Sequence, residues 1–439
     1  MIAPPDGSWR RDRAASLTEL HRSIAIPARG FVRKLLAFGG PGYMISVGYM
    51  DPGNWATDLG GGSAYGYTLL SVVVLSSLMA ILLQVLSLRL GIATGRDLAQ
   101  ACRDAWPRPV SLALWLFAEI GIIACDLAEV VGTAIALQLL FGLPLLWGVL
   151  LTAFDTLIVL SLQRFGFRLV EAIVIGLIIL IIFCFAFEII MARPDLAALG
   201  AGLVPQASIV RDAGALFIAV GIIGATVMPH NLYLHSSIVQ TRRFALDSVG
   251  RAEAIRFSTL DTGIALTVAL LVNGAILVLA AATFHQTGHT DIAAIQDAYE
   301  LMAPLLGAPL AAIVFALALL FSGQSSTLTG TLAGQVVMEG FLDLQLPPWL
   351  RRLATRLLAV APAAIVIALA GEAATGRLLI ASQVVLSMQL PFAMVPLVLF
   401  TADRRKMGRF ANPGWLNGLA WFVSVMIIAM NAKLLWDLV

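Results

Sequence analysis

The chain has 439 residues, of which 59% are hydrophobic and only 12% are charged, and its formal net charge is +2. A typical soluble domain is roughly 45–50% apolar and about 25% charged. The composition therefore excludes a soluble globular protein, and its high hydrophobicity excludes an intrinsically disordered one. Because a membrane-spanning helix needs about 20 apolar residues, the composition predicts a polytopic membrane protein.

The first 37 residues differ in composition from the rest of the chain. They are polar, contain seven Lys and Arg residues and show no signal-peptide pattern. We expect a cytoplasmic tail over residues 1–37, followed by a single transmembrane domain over residues 38–439. The three cysteines, Cys102, Cys125 and Cys184, have no spacing typical of a disulfide framework or a thiolate metal site.

Apolar runs between helix-breaking residues predict an all-α membrane protein with eleven spans. In chain order, spans 1 to 11 are predicted at residues 38–60, 67–90, 111–140, 146–162, 168–191, 214–240, 260–283, 308–335, 353–370, 378–401 and 415–437.

The distribution of basic residues supports this count and predicts an orientation. If the N-terminus is cytoplasmic and each span changes sides, only four of the 28 Lys and Arg residues lie outside the cytoplasm, namely Arg193, Arg211, Arg377 and Lys433. An omitted or extra helix would scramble this pattern downstream. The C-terminus is therefore expected outside.

Spans 1 and 6 carry helix-breaking residues at mid-membrane depth. Residues 51–54 read Asp-Pro-Gly-Asn, and residues 228–231 read Met-Pro-His-Asn. Proline breaks a helix, and non-helical backbone survives in hydrocarbon only where it lines a cavity or a site. Two matching interrupted spans are typical of an inverted-repeat transporter, here with spans 1–5 and 6–10 as the repeats. The alternative is that each proline merely kinks a packed helix.

The residues at the two breaks suit a divalent cation. Asp51 supplies a carboxylate, Asn54 an amide oxygen and Met228 a thioether, and unwinding frees carbonyl groups near Gly48 and Ala225. Oxygen ligands suit hard or borderline ions, whereas a thioether favours softer transition ions. Because one carboxylate cannot neutralise a divalent ion, we expect a second charge-compensating event such as proton release.

Span 3 contains three carboxylates, Glu119, Asp126 and Glu129, within an apolar run. Ionisable side chains at membrane depth are costly and normally mark a polar pathway. The helical repeat places all three on one face, and Asp126 and Glu129 are close enough for coupled titration. The alternative is hydrogen-bonded packing between helices.

Two further polar residues are predicted beside the site. His230 is the natural first acceptor for a proton that leaves Asp51, with a metal-ligand or packing role as the alternative. Gln383 in span 10 could add an amide oxygen to the metal when the site closes, or it could form an interhelical hydrogen bond instead.

The sequence resembles the Nramp (natural resistance-associated macrophage protein) family of divalent metal transporters. The resemblance rests on the paired motifs at residues 51–54 and 228–230, the surroundings of the second motif at 224–235, and the segments 382–387 and 390–392. It extends from about residue 38 to the last span. It implies a leucine-transporter-type fold with inverted repeats and proton-coupled import of Mn²⁺ and Fe²⁺-like ions.

The resemblance also implies a set of metal ligands. These are the side chains of Asp51, Asn54 and Met228 and the carbonyl of Ala225, with Gly48 in the place of the second carbonyl ligand. A related Mg²⁺-transporting branch lacks the methionine, so Met228 favours transition metals.

The family's proton route pairs the acids of span 3, here Asp126 and Glu129, with an arginine on span 9. Arg352 is the expected residue for this role, and Arg351 is the alternative.

We therefore expect an inner-membrane, proton-coupled importer of divalent transition metal ions, chiefly Mn²⁺, that works by alternating access. The alternative is a Na⁺-coupled amino-acid or amine symporter of the same fold, which Asp51 and Met228 disfavour. Enzyme and pore motifs are absent from the sequence, so neither an enzyme nor a channel is expected. The expected partners are the metal ion, protons and the lipid bilayer, without nucleic acid or a resident cofactor, and the chain is expected to be a monomer.

Overall fold

The computed structural model describes residues 16–27, 29–154, 166–292, 294–343 and 347–437. Among these residues, eight helical segments are long and apolar enough to cross a membrane. One of them, Pro52–Thr94, is interrupted by a 3-10 turn and covers both the second half of span 1 and all of span 2.

Two predicted spans are not among those eight segments. Span 9 corresponds to the helix Pro348–Ala370, whose apolar stretch Arg356–Leu369 is shorter than the others. Span 4 begins in a helix at Leu145–Leu151, and its remainder, residues 155–165, lies outside the described residues.

Short helices connect the spans. The first half of the chain contains α1 (Phe31–Phe38), α2 (Pro41–Gly48), α3 (Pro52–Tyr65), α4 (Leu70–Thr94), α5 (Leu98–Ala105), α6 (Arg108–Phe141), α7 (Leu145–Leu151), α8 (Phe167–Ala192), α9 (Leu196–Gly202) and α10 (Ser208–Arg211). The second half contains α11 (Ala213–Thr226), α12 (Pro229–Ile238), α13 (Ser248–Thr283), α14 (Ile295–Leu306), α15 (Pro309–Leu342), α16 (Pro348–Ala370), α17 (Thr375–Ala402), α18 (Arg404–Met407) and α19 (Gly414–Asp437).

Both predicted breaks are present, and each divides a span into two half-helices. Residues 49–51 separate α2 from α3, and residues 227–228 separate α11 from α12. A proline opens each second half-helix, at the first position, where its missing N–H would have no helical partner. Asp51 and Met228 precede these prolines and stand at the N-cap positions.

The half-helix α3 packs so closely against its neighbours that glycine is required at its contacts. A Cβ atom on Gly53 would lie 2.0 Å from Nε2 of Gln383, and one on Gly62 would lie 2.4 Å from the carbonyl oxygen of Leu277. Spans 10 and 7 therefore contact the backbone of α3 directly, which fixes the position of the break between them.

Residues 16–27 of the N-terminal segment cover one end of the helix bundle, and we call this end the tail face. Ile24–Ala25 forms a short parallel β-pairing with Arg242–Arg243, which follow span 6. The backbone N–H of Leu17 donates a hydrogen bond of 2.9 Å to the carboxylate of Glu339 at the end of span 8. The described part of the tail thus joins two spans that are distant in sequence.

Buried charges hold the start of span 1 on the tail face. The carboxylate of Asp261 in span 7 accepts hydrogen bonds from the backbone N–H groups of Gly40 (3.3 Å) and Gly42 (2.7 Å). Beside it, the guanidinium of Arg242 forms an ion pair of 2.7 Å with Glu171 in span 5. Spans 1, 5 and 7 and the connection after span 6 are therefore tied together at this end.

A pH-dependent contribution to stability is expected from Asp97, which caps α5 between spans 2 and 3. Burial raises the pKa of this carboxyl from 3.8 to about 6. Because the folded chain ionises less readily than the unfolded one, wild type loses stability as the pH rises from about 4 to about 6. Asparagine caps helices as well as aspartate does, so Asp97→Asn should be more stable than wild type above pH 6, by about 1–3 kcal/mol.

The measurement is the thermal midpoint of both proteins in detergent at about pH 4.5 and about pH 7.5, on either side of the titration. Asp247→Asn, at the exposed cap of α13, is the matched control. An Asp97→Asn difference that is the same at both pH values would contradict the expectation.

Candidate metal-binding site

The amide of Asn54 joins the two breaks. Its Nδ2 donates hydrogen bonds to Oδ1 of Asp51 (2.8 Å) and to the carbonyl oxygen of Ala225 (3.1 Å). The backbone N–H of Asn54 also donates to the same Asp51 oxygen, at 2.9 Å, and so caps α3. A carboxylate oxygen from span 1 and a carbonyl oxygen from span 6 therefore accept hydrogen bonds from the same amide nitrogen. A cation in the place of that nitrogen would contact both oxygens.

The thioether of Met228 lies at the same break, beside the end of α2. A Cβ atom on Gly48 would lie 3.4 Å from the Met228 sulfur and 2.4 Å from Nδ2 of Asn231. That Nδ2 donates to the sulfur at 3.5 Å. Glycine at position 48 thus leaves room for the Asn231 amide, which orients the sulfur of Met228.

The candidate ligands are enclosed by protein. Asp51, Ala225 and Met228 are fully buried, and Asn54 is 1% exposed. The structure therefore brings together the five residues predicted at the breaks, including Gly48, in a site closed to solvent.

Backbone groups freed at the first break are hydrogen-bonded by side chains from elsewhere. The Tyr49 carbonyl accepts from Nδ2 of Asn273 in span 7 (2.7 Å), and the Met50 carbonyl accepts from Nε1 of Trp55 (3.2 Å). The same Asn273 Nδ2 lies 3.2 Å from Oδ1 of Asn54 and so orients that amide. Sequence reasoning missed Asn273, because a single asparagine in an apolar span carries no local motif.

Gln383 and His230 each have a buried polar atom without a hydrogen-bond partner among the described residues. For Gln383 it is Oε1, while its Nε2 donates to Ser382 (2.9 Å); for His230 it is Nδ1. The Gln383 amide also lies against Gly53, directly beside the first break. Leaving such an atom unpaired costs about 1–3 kcal/mol, so both atoms are candidates for contact with a ligand.

The acids of span 3 share one helix face, as their spacing predicts. A Cβ atom on Gly330 in span 8 would lie 3.1 Å from Glu129 Oε1 and 3.2 Å from Asp126 Oδ1. Glu119, two turns earlier, accepts a hydrogen bond of 3.0 Å from Nε1 of Trp115. Asp126 and Glu129 therefore point toward the same short stretch of span 8.

Among the described side chains of span 9, that of Arg356 reaches these acids. Its guanidinium is fully buried, forms an ion pair of 3.3 Å with Glu129 and donates to the carbonyl of Thr152 (3.2 Å). The side chains of Arg352 and Arg351, predicted for this position, lie outside the described residues. Arg356 is one helical turn beyond Arg352. The three arginines of span 9 are so close in the sequence that their spacing does not show which of them faces the acids.

Cys125 lies between the candidate metal site and the acids of span 3. Its sulfur is 4.0 Å from Oδ2 of Asp51 and 3.8 Å from Oε1 of Glu129. No role is predicted for this cysteine from the sequence, although its position one helical turn before Glu129 places it on the same helix face. The two carboxylates are thus separated by a single thiol.

A buried carboxylate between two pairs of half-helices, on a scaffold of long apolar helices, defines a secondary transporter with internal repeats. The structures of Mhp1, a nucleobase-cation-symport-1 family transporter, and of MhsT have a similar fold. The TM-scores are 0.61 and 0.57, each at 14% identity; the matches cover 91% of both chains for Mhp1, and 89% of this chain and 98% of the other for MhsT. At this identity they show the fold alone, and they confirm the predicted leucine-transporter-type architecture.

More similar proteins define the family. The profile of a family described as natural resistance-associated macrophage protein-like matches residues 42–437. Two relatives carry the name divalent metal cation transporter MntH. One, from Nostoc sp., is 59% identical over 96% of this chain and 95% of its own length, and one from Mesorhizobium japonicum is 58% identical over 99% and 97%.

A solved structure agrees with these sequence matches. The manganese transporter of Eremococcus coleocola superimposes with a TM-score of 0.88 at 40% identity, over 95% of this chain and 90% of the other. The chain belongs to the Nramp family, as the two motifs indicated.

Proposed function

We propose that the chain is a proton-coupled importer of divalent transition metal ions, with Mn²⁺ as its main substrate. The observation that carries this proposal is the convergence of Asp51 Oδ1 and the Ala225 carbonyl on the Asn54 amide. A divalent cation bound there replaces the amide donor, and rotation of the Asn54 side chain presents its oxygen. The Met228 sulfur adds a soft ligand that favours transition ions.

Two further ligands complete the proposed site. One is the carbonyl of Gly48, the residue at the end of α2 that lies beside Met228; the other is Oε1 of Gln383, which has no hydrogen-bond partner among the described residues and lies beside Gly53. The names of the relatives, divalent metal cation transporter and manganese transporter, support the choice of substrate. The metal is cargo, and the proposed cycle requires no resident cofactor and no enzymatic step.

The tail face is proposed to be cytoplasmic and the membrane to be the inner membrane, with the C-terminus outside. The clustering of basic residues on one side of the spans supports this orientation. A negative-inside potential contributes about 2.3 kcal/mol per charge per 100 mV to inward movement of a cation, hence about 5 kcal/mol for a divalent ion. A monomer contains every residue of the proposed site.

The proposed proton route begins at Asp51 and leads past Cys125 to Glu129, Asp126 and Arg356. The distances of 4.0 and 3.8 Å from the thiol to the two carboxylates support this direction. His230, with its unpartnered Nδ1, is the proposed alternative acceptor at the break. When the metal arrives at a protonated Asp51, it favours release of that proton, because the carboxylate left behind pairs with the cation. This release supplies the charge compensation.

The first test is Asp51→Asn, which keeps the cap of α3 and removes the charge. Mn²⁺ uptake into proteoliposomes should fall at least about tenfold, because a loss of only about 1.4 kcal/mol in binding already gives that factor. Asp212→Asn is the matched control, since Asp212 also caps a half-helix, α11, but lies far from the breaks. Normal uptake by Asp51→Asn would refute the proposed site.

The second test concerns selectivity. Met228→Ala removes the soft ligand and leaves the oxygen ligands, so Mn²⁺ uptake should persist while competition by Ca²⁺ or Mg²⁺ increases about tenfold or more. Met302→Ala, a buried methionine outside the spans, controls for lost packing. If the Met228→Ala variant discriminates between these ions as wild type does, the thioether has no part in selectivity.

The third test concerns the proton. Proteoliposomes that contain a pH-sensitive dye should acidify inside during wild-type Mn²⁺ uptake, and this acidification should fall in Asp126→Asn and in Glu129→Gln, because each removes an ionisable group from the route. Glu300→Gln, an exposed acid of α14, is the control. Unchanged acidification per metal ion in both variants would exclude the route.

A further inference from the structure

An unfilled groove lies on the outer surface of the bundle, between α1, span 2 and span 7. Its cavity volume is about 770 Å³, within the range of about 300–1,000 Å³ in which proteins hold small ligands. The lining is mainly apolar and includes Phe31, Ile81, Phe257, Leu260, Ile264 and Val268. Leu260 and Ile264 are exposed on a membrane-spanning helix, so the groove opens toward lipid.

The end of the groove nearest the tail face is basic. Arg256 borders both this groove and a second cavity of about 520 Å³ that continues toward Lys34 and Glu253. Lys34 pairs with Glu253, which neutralises the acid. Arg256 is exposed and has neither an ion pair nor a hydrogen bond within the described part of the chain. An unpaired guanidinium therefore stands at the mouth of an apolar groove.

The helix α1 forms one wall of the groove and has the character of an interfacial helix. Phe38 stacks on Phe257 of span 7 with ring centroids 5.4 Å apart, while Val32 and Leu36 are 64% and 70% exposed. A helix that exposes apolar side chains beside basic ones lies in the plane of the membrane surface. Arg33, also exposed on α1, then lies at the level of the lipid headgroups together with the mouth of the groove.

We propose that this groove binds an anionic glycerophospholipid from the leaflet on the tail face. One acyl chain lies between α1 and span 7, and the phosphate pairs with Arg256. Charge complementarity identifies the occupant, because basic pockets between membrane helices attract anionic headgroups, whereas a zwitterionic lipid carries no net charge. Placing this leaflet on the cytoplasmic side rests on the proposed orientation; the site itself requires only that the chain spans a bilayer.

The test measures retained lipid by native mass spectrometry on the full-length protein, with phosphatidylglycerol and phosphatidylcholine of identical acyl chains. Arg256→Gln removes the charge. Gly263→Leu fills the groove, and a Cβ at this position meets no atom within 4 Å, so folding is preserved. The matched controls are Arg404→Gln, an exposed arginine after span 10, and Gly176→Leu, whose Cβ also has open space in span 5.

Wild type should bind phosphatidylglycerol about fivefold more tightly than phosphatidylcholine, the factor that corresponds to about 1 kcal/mol for one basic residue near the surface. Arg256→Gln should remove this preference, and Gly263→Leu should lower the binding of both lipids, while the two controls bind as wild type does.

Three results would overturn the proposal: equal binding of the two lipids by wild type, unchanged lipid binding by Gly263→Leu, or displacement of phosphatidylglycerol by inorganic phosphate. Binding is measured without metal, so its failure is distinguishable from failure of metal transport. Arg256→Gln can lose the lipid and still bind Mn²⁺.

Discussion

The structure depends on satisfying backbone polar groups where two membrane helices are interrupted. In an apolar medium each unpaired N–H or C=O group costs several kcal/mol, so the breaks at residues 49–51 and 227–228 require hydrogen-bonding partners. The first break obtains them from the Asn273 amide in span 7 and the Trp55 indole in α3. At the second break, the Ala225 carbonyl is satisfied by Asn54, a residue of the other broken span. The two breaks therefore stabilise each other.

The same constraint explains how the fold is closed at the tail face. The N–H groups at the start of α2 have no partner within the helix, and those of Gly40 and Gly42 donate to Asp261. This buried carboxylate lies near the buried pair of Arg242 and Glu171. Removing one member of a buried ion pair typically costs about 3–5 kcal/mol, so the loss of Arg242 or Glu171 would weaken this end of the fold.

The sequence reveals the breaks because their chemistry is local. Proline next to Asp51 or Met228 interrupts a helix wherever the span lies, and the spacing of Asp126 and Glu129 on one face follows from helix geometry alone. Two such breaks together predict an inverted-repeat transporter, and the resemblance to the family implies the leucine-transporter-type fold. The charge pattern likewise supports the predicted count of spans.

The partners from other helices are not predictable in this way. Whether Asn273, Cys125 and Arg356 reach the site depends on which face of each helix is turned toward it. A span that is apolar on all sides has no polar face in its sequence that would reveal this orientation. The basic cluster of span 9 predicts an arginine beside these acids but not its register, and among the described side chains it is Arg356 that pairs with Glu129. The contact of the N-terminal tail with Glu339 is equally hidden, because it joins residues 322 positions apart.

At the proposed metal site, the hydrogen bonds of the Asn54 amide have a consequence for the residence time of the metal ion. Without metal the two converging oxygens already accept hydrogen bonds from this amide, so binding is an exchange in which the ion must displace the amide from both oxygens. A hydrogen bond contributes about 0.5–1.5 kcal/mol, and every 1.4 kcal/mol changes affinity about tenfold. The Asn54 amide forms these hydrogen bonds again as the ion leaves, and so shortens the time for which the ion stays bound. A carrier that must release its ion in every cycle therefore turns over faster.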